Sequence, residues 1–526
     1  MGAGAVTTAG GSGNEAFAHL MDPNRKWYNN RRLIALHGWI VLLLITSSIN
    51  GFDGSILNSF QSLQVWNDYF GTPAGGRLGL LNAIQNIGSL AGYPFAPYLS
   101  DGLGRRPTIW IGSAIMLVAV VLQSAAQNWG MFIGARFLIG FGLTFAVNSA
   151  PLLVTEIAYP KYRASLTSLY NALWYSGNII ATWSTFGTQH INNNWAWRIP
   201  SILQGIVPVL QFLLMFFAPE SPRWLISKGK DEQALQTLAY YHADGNDQDP
   251  LVQFEFQEIK SAIDFDREIS ANVGWKSLIA TPGNRRRIII IVAIAFFSQW
   301  SGNGLVSYYL KVVLESIGIT SATIQILISG ILAIWNLFWA VAASFCVERF
   351  GRRPLFLTSA FGMLLAFVFQ TVCTARYNIA PTGASAHAVI AFIFIFYAFY
   401  DLAFTPLIVS YTVEILPYSL RAKGFNVFNF TVSVALIFNQ YVNPIALSHI
   451  GWKYYIVYCC WLAAECTFLW FMIVETKNLS LEETAALFDG EGASTNLHNA
   501  TREVRHEDFD EKASDSAYTG NNDLKA

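Results

Sequence analysis

The sequence predicts an all-α membrane protein of twelve spanning helices arranged as two pseudo-symmetric six-helix halves. Three observations predict it: an apolar composition, a series of apolar runs of spanning length, and polar motifs that recur once along the chain. Hydrophobic residues make up 53% of the chain and charged residues 13%, against about 25% charged in an average soluble domain. Aromatic residues reach 15%, with 17 Trp, as suits anchoring at two lipid–water interfaces. A net charge of -1 implies no nucleic-acid partner.

A membrane helix needs roughly 20 predominantly apolar residues. Such runs fall near 34–57, 79–99, 107–126, 131–154, 164–187 and 199–218, then near 287–313, 323–347, 354–374, 388–413, 424–446 and 453–474. The chain therefore divides into an N-terminal tail (1–32), a first half (33–219), a polar linker (220–286), a second half (287–476) and a C-terminal tail (477–526). Within the linker, Asp231–His242 and Val252–Arg267 read as short amphipathic helices. Both tails are polar enough to be disordered.

Charge sets the orientation. Lys26, Arg31, Arg32, Arg105, Arg106, Lys161, Arg163, Arg285–Arg287, Arg349, Arg352, Arg353, Arg421 and Lys423 fall in alternate loops or the tail, whereas the opposite loops carry few basic residues. Positive loops stay inside, so both termini and the linker are expected in the cytoplasm. No outward-facing glycosylation site is expected, since the sequons at Asn429, Asn478 and Asn499 lie in a span or the tail. Met1–Gly2 is followed by Val6, where N-myristoylation needs Ser or Thr. The first thirty residues lack the apolar core of a cleavable signal. The five cysteines, Cys346, Cys373, Cys459, Cys460 and Cys466, show no metal-ligand spacing and read as small buried residues.

The motifs repeat. Asp101-Gly-Leu-Gly-Arg105-Arg106 follows the second span and Glu348-Arg-Phe-Gly-Arg352-Arg353 the eighth. Glu156 precedes Arg163 by seven residues after the fourth span, and Glu414 precedes Arg421 by the same seven after the tenth. Pro219-Glu220-Ser-Pro-Arg223 closes the sixth span and Glu475-Thr-Lys477 the twelfth. Offsets of 247 to 258 in unchanged order mark a duplication. Glycine turns let one helix run closely into the next. The acidic and arginine residues then gather at one rim, where ion pairs can hold that side shut.

These residues resemble the sugar porter family of the major facilitator superfamily, over about 34–477. The resemblance is carried by Gly51-Phe52-Asp53, both Gly-Arg-Arg turns, Gly134-Ala-Arg136-Phe-Leu-Ile-Gly140, Pro219–Arg223, Gln299-Trp-Ser301-Gly302 and Glu475–Lys477. Ser168–Tyr175 and Ser301–Leu310 are locally similar to fungal lactose permeases and cellodextrin transporters. The chain departs from the family pattern at Asn171 (usually Gln), Ser298-Gln299 (usually a Gln pair), Gly304 (usually Asn), Val474 (usually Pro) and Gly102 (often Arg).

The resemblance implies a plasma-membrane, multi-pass transporter with the major facilitator fold that works by alternating access. Asp53 and Arg136 match the pair of proton-coupled sugar porters. Burial favours the protonated form of Asp53 and a nearby Arg136 the ionised form, so opening the cavity can move a proton. Asn171, Gln299, Tyr308 and Asn336 match cavity-lining positions, and Asn303 adjoins them; amides offer the donors and acceptors that sugar hydroxyls require. Trp174, three residues past Asn171, is placed to stack on a sugar ring. Asn439 and Asn443 serve equally well as helix–helix hydrogen bonders. Asp401 is expected in the inner gating network with Asp101, Arg105, Arg106, Glu156, Arg163, Glu220, Arg223, Glu348, Arg352, Arg353, Glu414, Arg421 and Glu475. His37 reads as an interfacial residue, and Glu465 as structural.

The expected function is proton-coupled import of a β-linked disaccharide such as lactose or cellobiose. A hexose transporter is the alternative within the class, and a non-transporting sugar sensor the alternative outside it. No nucleophile–base pair, phosphate loop or metal set points to an enzyme. The coupling proton is the only cofactor-like species implied, the bilayer and a sugar the only partners, and a monomer suffices.

Overall fold

A computed structural model describes residues 26–272, 274–477, 484 and 487–489. The side chains of Asn171 and Glu348, the parts of the tails at 1–25 and 490–526, and most of 478–489 lie outside the described residues. Among the described residues all regular structure is helical. Nine helical segments there are long and apolar enough to cross a membrane, the last of which, Lys423–Met472, contains two helices. Each of the twelve expected spans falls on helix, the second and fifth on less apolar helix pairs.

The first span is Arg31–Ser62, the third Arg105–Ser124, the fourth Trp129–Ile157, the eighth Ala322–Phe350, the ninth Arg352–Ile379, the eleventh Tyr418–Ile450 and the twelfth Tyr454–Met472. The others are broken, and the breaks have local causes. The second (Gly75–Gly92, Ala96–Leu103) breaks around Pro94. The sixth (Trp195–Leu203, Ile206–Leu214) breaks at Gly205, before Pro208, and the tenth (Gly383–Ala403, Leu407–Glu414) at Pro406, where a ring removes a donor and crowds the preceding turn. The seventh (Pro282–Trp300, Asn303–Glu315) breaks at Ser301-Gly302, with Gly302 at φ 101°. The fifth consists of Pro160–Ala172 and Trp174–Thr188.

Small residues bring these helices close, as in membrane interiors generally. A Cβ on Gly51 would stand 1.8 Å from the Trp174 carbonyl oxygen, and one on Gly177 would stand 1.8 Å from that of Ser48. The first span therefore lies backbone to backbone on the fifth. Within each half the third and fourth spans pack together, as do the ninth and tenth. Across the halves the second span lies on the eleventh, the fifth on the eighth and the first on the seventh.

The linker forms Pro222–Ser227, Asp231–His242 and Pro250–Asn272. Its apolar faces close on one another through Trp224, Leu225, Ile226, Ala234 and Ile263. It docks on the end of the fourth span: buried His242 has Nδ1 2.6 Å from Glu255 and Nε2 3.2 Å from the Ile157 carbonyl, and Arg163 donates to Glu255 at 3.4 Å.

Candidate functional site

The duplicated motifs share their central bonding. Arg105 Nε and Nη2 hold Glu156 at 3.1 and 3.2 Å, and Nη1 reaches Asp101 at 3.2 Å. Arg352 holds Glu414 in the same bidentate manner at 2.8 and 3.1 Å. Glu220 caps the third span by accepting from the backbone N–H groups of Arg105 and Arg106, and Glu475 caps the ninth by accepting from those of Arg352 and Arg353. Arg106 and Arg353 each donate to a carbonyl near the end of the sixth or twelfth span, Ala218 and Trp470. Gly104 (φ 116°) and Gly351 (φ 90°) make room: a Cβ there would meet Glu220 at 2.4 Å and Glu475 at 2.7 Å. Burial pushes the Glu220 carboxyl up against the pull of its N–H donors.

These ion pairs each stay within one half, so they brace each half rather than tie the two together. Arg163 is not paired with Glu156; it turns to Glu255 of the linker, because Arg105 already occupies both oxygens of Glu156. Arg223 and the buried Arg421 stand at the same rim.

The ties between halves lie elsewhere. At the far end, Asn58 accepts from the Leu310 N–H at 3.1 Å and Gln61 donates to the Tyr308 carbonyl at 2.8 Å, joining the first span to the seventh. Asn86 donates to Gln440 at 2.7 Å, joining the second to the eleventh. Deeper in, Tyr175 of the fifth span donates to Asp401 of the tenth at 2.6 Å. Asp401 thus bonds across the halves and takes no part in the rim ion pairs. Thr405 donates to the same Asp401 oxygen at 2.7 Å.

Asp53 is fully buried, and its partner is an amide: Gln204 Nε2 donates to Oδ1 at 2.5 Å, while Oδ2 has no hydrogen-bond partner. Arg136 lies beside it but makes no ion pair with it. Its Nη1 donates to the Asp53 backbone carbonyl at 3.1 Å and its Nη2 to Gln85 at 2.6 Å. Gln123 and Ser201 extend this buried network from the third and sixth spans. Gln85, Gln123 and Gln204 were not singled out by sequence reasoning. The available signal is that each is an amide inside an apolar span, where a polar group is costly.

Trp174 is half-buried, and its ring lies 3.8 Å from the position of a Cβ on Gly54, next to Asp53. Gln299 and Tyr308 are also partly exposed. Asn303 is buried; its Nδ2 donates to the Ser298 carbonyl and to Tyr400, each at 3.1 Å, and its Oδ1 has no partner. Asn336 is buried with Oδ1 likewise unpartnered. Asn439 donates to the Gln299 carbonyl at 2.6 Å, and Asn443 accepts from Tyr458 of the twelfth span at 2.7 Å, so both link helices. A Cβ at Gly304 would stand 2.2 Å from the Asn439 amide, so the eleventh span fills the place of the side chain missing there.

The profile of the family described as "Sugar (and other) transporter" matches residues 39–488. The chain is 30% identical over 456 residues to an MFS-type transporter, oryC, of Aspergillus oryzae, covering 85% of this chain and 84% of the relative. It is 28% identical over 463 residues to a high-affinity glucose transporter of Kluyveromyces lactis, covering 84% and 82%. Among solved structures, the inward-open xylose transporter XylE of E. coli superposes with a TM-score of 0.71 at 23% identity, covering 86% of this chain and 100% of that one. A second structure, described as the proton:xylose symporter XylE bound to 6-bromo-6-deoxy-D-glucose, gives 0.66 at 24% identity, covering 86% and 99%.

Proposed function

The chain belongs to the sugar transporter family, and from that membership we propose that it is a proton-coupled sugar symporter. It is a multi-pass membrane transporter with the major facilitator fold. In our reading it resides in the plasma membrane with both termini and the linker in the cytoplasm. The halves rock about a midplane site, alternately exposing it to either side.

One observation carries the coupling: Asp53 is a fully buried carboxyl with an unpartnered oxygen and no ion pair. An isolated carboxylate in that position is costly, and the group relieves the cost by holding a proton. Arg136, held to Gln85 and the Asp53 carbonyl, favours the ionised form once water reaches the site. A change of access therefore exchanges the proton. The symporter name borne by a structural neighbour agrees with this reading.

For the sugar, Asn171, Trp174, Gln299, Asn303, Tyr308 and Asn336 form the binding set. The unpartnered Oδ1 atoms of Asn303 and Asn336 suit hydroxyl donors, because an unmade buried bond costs about 1–3 kcal/mol. We take the substrate to be a β-linked disaccharide, given the local likeness of Ser168–Tyr175 and Ser301–Leu310 and the rebuilt lining at Gly304 and Asn439. A hexose is the second reading, favoured by the glucose transporters among the relatives.

The test is uptake of labelled lactose, cellobiose and glucose into cells lacking other carriers, with external pH recorded. Disaccharide uptake with transient alkalinisation is expected. Asp53→Asn is expected to abolish the pH signal, and alkalinisation of wild-type size in that variant would remove Asp53 from the coupling role. Glucose uptake that excess lactose does not compete would overturn the disaccharide assignment. Binding without flux in purified vesicles would leave a sensor.

A further inference from the structure

The buried network of the first half has a counterpart in the second. In the first half, Asp53 of the first span, followed by Gly54, is bonded by Gln204 of the sixth. In the second half, Ser301 of the seventh span, followed by Gly302, is bonded to Glu465 of the twelfth at 2.8 Å. Ser301 follows Asp53 by 248 residues, within the offsets of the repeat. The carboxyl has changed sides: it stands on the first helix of one half and on the last helix of the other.

Glu465 is fully buried, no ion pair reaches it among the described residues, and its Oε1 has no hydrogen-bond partner. From the seventh span it is met by Ser301. Tyr400 faces it from the tenth, with its own hydroxyl proton committed to the Ser298 carbonyl at 2.7 Å. Its own helix adds the Cys466 thiol. The ninth span lies along the twelfth and touches it through Thr371 and Cys459 at 3.4 Å, while Arg352, Arg353 and Arg376 sit near its ends. Asp401, the next residue along the tenth span from Tyr400, is engaged by Tyr175 and Thr405.

The proton count at Ser301 is the deciding observation. Its oxygen stands 2.5 Å from the Phe297 carbonyl and 2.8 Å from Glu465 Oε2. A serine has one proton to donate, and a carbonyl can only accept. Both contacts are hydrogen bonds only if Ser301 donates to Phe297 and Glu465 carries a proton that it donates to Ser301. If Glu465 ionises, the serine proton is drawn to the carboxylate and the Phe297 carbonyl loses that donor. Phe297 lies one turn before the break at Ser301-Gly302, so the change falls on the hinge of the seventh span.

We propose that Glu465 is a second proton-binding site, whose proton sets the break of the seventh span through Ser301. This goes beyond the coupling assigned to Asp53 and does not require it.

The test uses the full chain in lipid vesicles without sugar, by infrared difference spectroscopy between acid and alkaline buffer. Wild type is expected to show protonated-carboxyl carbonyl bands that vanish on alkalinisation. Glu465→Gln is expected to lose one band, Asp53→Asn a different one, and Ser301→Ala to shift the Glu465 band by removing its acceptor. A Glu465→Gln spectrum that overlays wild type would overturn the proposal, making Glu465 a carboxyl of fixed charge. Should that variant fail to fold, an unshifted spectrum in Ser301→Ala would overturn it equally. Because no sugar is present, absence of sugar-driven flux would defeat the symport reading and leave these spectra interpretable.

Discussion

Tyr175 donates to Asp401 at 2.6 Å and so links the fifth span to the tenth across the two halves. Both residues are buried, at 8% and 0% exposure, which makes the bond short-ranged and dry. The rim ion pairs stay within their own halves, so this bond, with those joining the first span to the seventh and the second to the eleventh, holds the present conformation together. Tyr175→Phe leaves Asp401 with Thr405 alone. The loss is expected to cost this conformation about 1–3 kcal/mol, a shift of roughly 5- to 150-fold in population. Spin labels at the exposed, repeat-related Leu103 and Phe350 read that shift as a broadened or displaced distance distribution. An unchanged distribution would show that the bond does not hold the halves.

The contact between the first and fifth spans offers a sharper test of packing. A Cβ on Gly177 falls 1.8 Å from the Ser48 carbonyl oxygen, while one on Gly187, a few turns along the same helix, meets nothing within 4 Å. Backbone cannot yield as a side chain can. Gly177→Ala is expected to lose about 1–3 kcal/mol or more, and Gly187→Ala to gain up to about 1 kcal/mol from helix propensity. Melting temperatures of the two variants in detergent decide it.

How far the sequence revealed the molecule depends on the range of the interaction. Spans and turns are local, and apolar run length together with the Gly-Arg-Arg spacing exposed them. The recurrence of Arg105, Glu156, Arg352 and Glu414 in matched motifs sets them at one rim, without saying which arginine meets which glutamate. Gln204 and Tyr175 escaped notice because an isolated Gln or Tyr in a span has many uses. Only a neighbouring helix, 151 residues away for Asp53–Gln204 and 226 for Tyr175–Asp401, selects one. The seven-residue spacing sets Arg163 after Glu156, yet Arg105 takes that carboxylate and Arg163 meets Glu255 of the linker.

Glu220 gives the rim a pH dependence of defined sign. Its carboxyl is pushed up from the ordinary 4.5 chiefly by burial, with the N–H groups of Ser221, Arg106 and Arg105 pulling the other way. A group that binds its proton more tightly folded than unfolded stabilises fully below the unfolded value and loses that contribution as pH rises through the folded one. Wild type is therefore expected to melt lower as pH is raised from about 4.5 toward neutrality. Glu220→Gln is expected to flatten that slope. A variant slope equal to wild type would place the proton elsewhere.

The duplicated arginines test whether equal motifs carry equal weight. Arg105 and Glu156 side chains are 10% and 3% exposed, whereas Arg352 and Glu414 are 18% and 19% exposed. Breaking a buried pair leaves an uncompensated charge and costs about 3–5 kcal/mol; a pair that water reaches costs nearer 1 kcal/mol. Arg105→Gln strands Glu156 and also gives up the bonds to Asp101 and the Ser100 carbonyl. Glu414 keeps Thr476 at 2.5 Å after Arg352→Gln. The first-half variant is therefore expected to lose more stability, by about 2 kcal/mol, and to express less folded protein. Lysine restores neither variant fully, because one ammonium cannot span both carboxylate oxygens as the guanidinium does. Equal melting losses for the two glutamine variants would mean that the repeat, rather than burial, sets the strength of the brace.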